Sequence, residues 1–128
     1  NPSLKKKVVF TGFVDNMPQV YAATDILVSS SARESFGLAL AEASASGIPV
    51  VSTNIGGQSL IIQDGKTGFL IPPRKPQILA KKVLLLAKNQ QMRQRFGQNG
   101  RKKVFVKFRL KNYIEKVQKT YLELVKKR

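Results

Sequence analysis

Short, almost wholly apolar runs alternate along this chain with stretches of helical periodicity, and that alternation restricts the fold more than any other feature. The runs are Lys7-Val8-Val9-Phe10-Thr11, Ile26-Leu27-Val28, Pro49-Val50-Val51-Ser52 and Gly68-Phe69-Leu70-Ile71. A strand with one wet face alternates in polarity; a strand buried on both faces does not. Four such runs separated by helices predict a parallel sheet covered on both sides, with right-handed crossovers. The fold class expected is therefore α/β, a Rossmann-like parallel sheet flanked by helices. The run at 7–11 is read as a buried strand like the others.

The intervening segments carry helix signals. Asp15 and Asn16 with Pro18 open a short helix to Ala23, and Ser35, taken as N-cap, opens one to Ser46, stopped by Gly47 with Pro49 beyond. One or two turns are expected from Gln58 to Gln63. Pro76 starts a helix with Leu79, Val83, Leu86 and Ala87 on one face, and two further helices divide near Lys107 to Arg109. In the last, Leu110, Tyr113, Ile114, Val117, Tyr121 and Leu124 make one stripe. Phe105, Phe108, Tyr113 and Tyr121 are read as core on this spacing. Residues 1–75 thus form the βα units and residues 76–128 a helical tail, in one domain.

Composition removes several chemistries. No Cys and no His among 128 residues excludes disulfides and Cys-based zinc sites, and removes the commonest metal ligand and acid–base group. No apolar run is long enough for a membrane-spanning helix. The formal charge is +16, and it is uneven: Met92 to Arg128 holds thirteen basic and two acidic residues, whereas Ser29 to Lys75 holds four and three. Such a field favours polyanions without choosing among them. A solvated lysine surface explains it more simply than a specific nucleic-acid face, and peripheral contact with an anionic membrane is the remaining expectation.

Sites on doubly wound sheets lie at the carboxyl ends of the strands, beside helix N-termini. The informative loop is Ser29-Ser30-Ser31-Ala32-Arg33-Glu34-Ser35-Phe36-Gly37-Leu38. Free amides at Phe36, Gly37 and Leu38 and the positive helix end suit a phosphate. Glu42 lies eight positions after Glu34, which at about 1.5 Å rise per residue is on the order of 10–12 Å along the axis. A diphosphate on the amides then lies between two carboxylates, Glu34 reaching hydroxyls of the outer group and Glu42 a ribose. Glu42 falls within Ala39-Leu40-Ala41-Glu42-Ala43-Ser44-Ala45, a run that reads as buried, where a carboxylate without a partner or an opening is costly. Solvated charge is the plain alternative for both residues.

The segment from Glu34 to Val50 resembles the E-x7-E signature of retaining glycosyltransferases of the two-Rossmann-domain (GT-B) fold, glycosyltransferase group 1. Phe10-Thr11-Gly12-Phe13-Val14, Tyr21-Ala22-Ala23-Thr24-Asp25, Gly56-Gly57 and Asp64 to Pro72 are similar to family segments in the same order. The resemblance implies part of a C-terminal, nucleotide-sugar-binding domain. It assigns donor-sugar hydroxyls to Glu34 as the catalytic-site carboxylate, sugar and diphosphate to Ser35, Phe36, Gly37 and Leu38, the ribose to Glu42, and the base to Phe13 and Val14. It implies transfer of a sugar from a UDP-, GDP- or ADP-sugar to a glycan or lipid-linked acceptor held by an N-terminal domain, with no metal or other cofactor, in the cytoplasm and peripheral to the membrane. Leu60 stands where the family carries a Glu, and Leu110 where it carries a Trp. The first strands of such a domain, with their diphosphate-neutralising Arg and Lys, are expected to precede residue 1. A nucleotide-sugar epimerase on the same scaffold and a basic nucleic-acid or lipid module are the competing readings.

Overall fold

A computed structural model describes residues 7–126. Its centre is a three-stranded parallel sheet in the order β1 (Leu27–Ser29), β2 (Val50–Thr53), β3 (Gly68–Ile71). Leu27 pairs with Val50, and Val50 in turn with Gly68, so the three strands start level, and β1 stops one residue short of β2 and β3. The described residues hold six helices: α1 (Met17–Ala22), α2 (Leu38–Ala45), α3 (Gln58–Ile61), α4 (Pro76–Lys88), α5 (Gln90–Lys107) and α6 (Leu110–Lys126).

Successive residues of β2 point to opposite faces, and every one of them is buried. Val50 joins Tyr21, Leu40, Ala43, Ile61 and Val104 on one side, while Val51 joins Phe69, Leu86 and Phe96 on the other. The doubly covered sheet expected from the apolar runs forms at β2 and β3, whereas β1 at the edge buries none of its three residues and leaves Val28 exposed. Phe69 and Phe96 meet edge to face at 5.3 Å. Helix α5 supplies both Phe96 and Val104 and so borders both cores. It approaches the β2 side so closely that a Cβ on Gly97 would lie 1.9 Å from the Gly47 carbonyl oxygen.

Local signals account for most boundaries. Asn16 caps α1 by accepting from the Gln19 amide, with Pro18 in the first turn. Asn89 both ends α4 and caps α5, accepting from the Met92 amide at 2.8 Å. Arg93 donates to the carbonyls of Leu86 and Ala87, satisfying the open end of α4. Among the described residues, no helix is long and apolar enough to cross a membrane.

Two expectations fail here. Residues 7–11 form no strand, and Val9 and Phe10 are 81% and 95% exposed. A strand needs a neighbour to satisfy its backbone, and no described segment pairs with this one. The tail aromatics are not core either. Phe105, Phe108, Tyr113 and Tyr121 are all exposed, and α6 buries none of its residues. Its apolar stripe is real as a pattern, but no described element packs over it.

Candidate functional site

The strand ends converge on one cluster of loops. After β1 the chain runs through Ser30 to Gly37 before α2, and Thr53 at the end of β2 donates from Oγ1 to the Ser31 carbonyl at 2.8 Å. The Asn54 amide donates to the Ile71 carbonyl at 2.7 Å, tying the β2 and β3 exits together. Glu34, Ser35, Phe36, Gly37 and Leu38 all lie on or beside this first loop, at the carboxyl end of the sheet.

The helix starts later than Ser35. Gly37 is the N-cap residue of α2, with φ +88°, and α2 runs from Leu38 to Ala45 in place of the expected 35–46. Two effects displace the start. The Ser35 carbonyl is taken by the Gly57 amide at 2.8 Å, and the Ser35 amide donates to its neighbour's Glu34 Oε1 at 3.1 Å. A residue held this way from both sides does not also cap a helix, and glycine supplies the left-handed turn that follows. The Glu34–Glu42 interval is therefore loop as far as Gly37 and helix from Leu38, and helical rise alone does not set its length.

The late start leaves more free donors than expected. Leu40 and Ala41 donate to the Gly37 carbonyl, whereas the amides of Phe36, Gly37, Leu38 and Ala39 have no acceptor among the described residues. Four unpaired amides at a positive helix end are suited to an anion. Beneath them lies Gln58, fully buried, its Oε1 accepting from Ser52 Oγ at 2.7 Å. Leu40 and Gln58 occupy the space under Gly37: a Cβ there would meet Leu40 Cδ1 at 3.0 Å.

The Gly56-Gly57 pair holds Glu34. Gly56 has φ +52°, and a Cβ on it would sit 1.9 Å from the Glu34 carbonyl oxygen. One on Gly57 would come within 2.8 Å of the Ser35 carbonyl oxygen. No residue with a side chain fits either place without moving the loop. Phe36 is braced from another direction by Phe108, edge to face at 5.4 Å.

Glu42 is exposed, not buried as its small apolar neighbours implied. It lies on the outward face of α2, between the buried Ala41 and Ala43. One carboxylate oxygen accepts from Tyr21 Oη at 2.7 Å, and the other has no described partner. Tyr21 itself is buried, and its phenol is pushed up to about 12, by burial first and then by the bond to Glu42 and that carboxylate's charge. A neutral, fixed hydroxyl thus holds one oxygen of Glu42 and leaves the other without a described partner. Phe13 and Val14 precede α1, with Phe13 92% exposed; Tyr21 joins α1 to α2 through the shared core with Leu40 and Ala43 and through its bond to Glu42.

Tyr21, Gly56, Gln58 and Phe108 are the contributors that the sequence did not reveal as site residues. Tyr21 and the Gly-Gly pair fell inside segments of resemblance, but nothing local assigned them a role. Gln58 is read from sequence only as the start of a short helical segment, and Phe108 only as a core aromatic.

The model for glycosyl transferases group 1 matches residues 1–103. N-acetyl-alpha-D-glucosaminyl L-malate synthase of Bacillus anthracis is 30% identical over 126 residues, covering 98% of this chain and 33% of its own. A glycosyltransferase structure from Rickettsia africae superposes with a TM-score of 0.90 at 27% identity, over 98% of this chain and 34% of that one. The structure of Anabaena HepE with UDP-glucose superposes with a TM-score of 0.86 at 29% identity, over 94% and 34%. The chain spans about a third of the length of each.

Proposed function

The chain belongs to the glycosyl transferases group 1 family, and on that premise we propose that it is the donor-binding part of a retaining glycosyltransferase that uses a nucleotide-diphosphate-sugar. The observation that carries the reading is the row of unpaired amides from Phe36 to Ala39, flanked by Glu34 and Glu42.

The diphosphate takes the place of the missing acceptors at those amides, where hydrogen bonds to a charged oxygen are each stronger than neutral ones. Glu34, fixed through its backbone by Gly56, accepts from hydroxyls of the donor sugar. Departure of the nucleoside diphosphate builds negative charge on the phosphate, and the amides and the positive helix end stabilise that charge as it develops. Glu42, aimed by Tyr21, accepts from the ribose hydroxyls with its free oxygen. Phe13, with Val14, offers apolar surface to the base. No step asks for a metal ion or redox group. The donor is a UDP-, GDP- or ADP-sugar. The structural relative bound to UDP-glucose supports the diphosphate-sugar class, and this loop holds no group that would select the base. The acceptor, a glycan or lipid-linked glycan, and retention of configuration follow the family resemblance.

Calorimetry with UDP-, GDP- and ADP-glucose at low salt tests the donor site. Glu42→Ala should weaken binding about tenfold or more, the scale of a lost charged hydrogen bond. Binding by Glu42→Ala equal to that of the unaltered chain would remove the site as drawn. Retention is read from the anomeric proton of the product formed by the enzyme carrying this segment.

A further inference from the structure

Along the outer half of α5, residues Asn99, Lys102, Lys103 and Lys107 face the connection between α3 and β3, where Lys66 and Thr67 lie. Together they border a cleft of about 580 Å³ that shares no residue with the donor loop. Its two walls are clamped. Thr67 Oγ1 accepts from the Gln63 amide at 2.8 Å, Asn99 Nδ2 donates to the Lys66 carbonyl at 3.1 Å, and Lys107 Nζ donates to the Leu60 carbonyl at 3.3 Å.

Four ammonium groups border this cleft and no carboxylate does. The ion pairs among the described residues, Lys111–Glu115 and Lys119–Glu123, both lie on α6. Lys103 and Lys107 stand one turn apart on α5, a like-charge spacing that destabilises a helix. We propose that this cleft is a second anion site, independent of the donor loop, which takes a phosphoryl group of a phosphate ester. The absence of Arg from its border argues for phosphate over carboxylate. Planar carboxylates are matched by the guanidinium fork, whereas several point-like ammonium donors suit a tetrahedral dianion with three free oxygens. Burial, and then the charge of Lys107, hold the Lys103 ammonium below its usual range, a disfavoured charge that a bound anion relieves. The phosphoryl group has two sources, a soluble phosphate ester or a phospholipid headgroup.

Amide-resolved NMR titration of the chain with glycerol phosphate and inorganic phosphate, beside flotation with phosphatidylglycerol and phosphatidylcholine vesicles, tests this. Perturbation centred on Lys66, Thr67, Asn99 and Lys103 is expected. Lys103→Gln with Lys107→Gln should weaken binding about tenfold, while Lys81→Gln with Lys88→Gln on α4, the same loss of charge, should change it less than about twofold. Vesicle binding that exceeds binding of the soluble ester assigns the headgroup; the reverse assigns a soluble ligand. Equal losses in the two double variants, or no perturbation at the cleft in the unaltered chain, overturn the site. The unaltered chain's map decides the matter even if the cleft variant does not fold.

Discussion

Replacing Tyr21 by Phe removes one hydroxyl and leaves the ring, so it isolates the bond to Glu42. Tyr21 is 7% exposed and donates to Glu42 at 2.7 Å. A hydrogen bond to a charged group contributes about 1.5–3 kcal/mol. Glu42 is exposed and regains water when the bond is lost, so the net loss of stability near pH 8 is about 1 kcal/mol. At high pH the sign reverses. The phenol is raised from 10.0 to about 12, so the folded state disfavours tyrosinate. The stability linked to the protonated phenol is fully present below pH 10 and is lost between pH 10 and 12, a loss larger than the net advantage at pH 8. At about 1.4 kcal/mol per pH unit, the unaltered chain loses its advantage near pH 11 and falls below Tyr21→Phe beyond that. Urea unfolding followed by circular dichroism from pH 8 to 11.5 reads the crossing directly. Freed from Tyr21, Glu42 must also be ordered by the ligand, at about 0.5–1.5 kcal/mol, which weakens donor binding about two- to tenfold. A stability gap that stays constant across that pH range, with donor affinity unchanged, would refute the reasoning.

Three further outcomes follow from the packing. Gly56→Ala forces a Cβ against the Glu34 carbonyl in a left-handed conformation, so it should cost about 2–3 kcal/mol and reduce donor binding with it; unchanged binding and melting temperature contradict the proposed brace. Gly97→Ala drives α5 off the Gly47 carbonyl and should cost about 1–3 kcal/mol in urea unfolding. Gly100→Ala, one turn along the same helix, meets nothing nearer than Ser44 Cβ at 3.6 Å and should instead stabilise by about 0.5–1 kcal/mol; the same sign at both glycines would contradict the packing described.

How far the sequence carried is clearest at particular residues. Val50, Val51, Phe69 and Ile71 announced buried strands because a doubly covered sheet leaves no polar face, and caps such as Asn16 were visible because capping is a local hydrogen bond. The segment at 7–11 has the same composition as those strands, yet strand formation depends on a neighbour, which composition does not encode. Helical spacing likewise showed that α6 has an apolar face, without showing what covers it. The start of α2 was misplaced by the best local rule available. Ser35 has the right side chain for a cap, but its carbonyl is claimed by Gly57, twenty-two positions later. A separation of twenty-one positions likewise hides the Tyr21–Glu42 bond, since no helical or strand period relates residues that far apart. The E-x7-E spacing was legible, and the geometry behind it was not: a loop braced by two glycines, followed by one turn of helix.

The central claim is that the amides from Phe36 to Ala39 receive the diphosphate of the donor, and amide-resolved NMR during titration with UDP-glucose tests it most directly. The largest shifts should fall on Phe36, Gly37, Leu38 and Ala39, extend to Glu42, and diminish in Glu42→Ala. Shifts confined to the Lys66–Lys107 cleft, with positions 36–39 unmoved, would contradict the account.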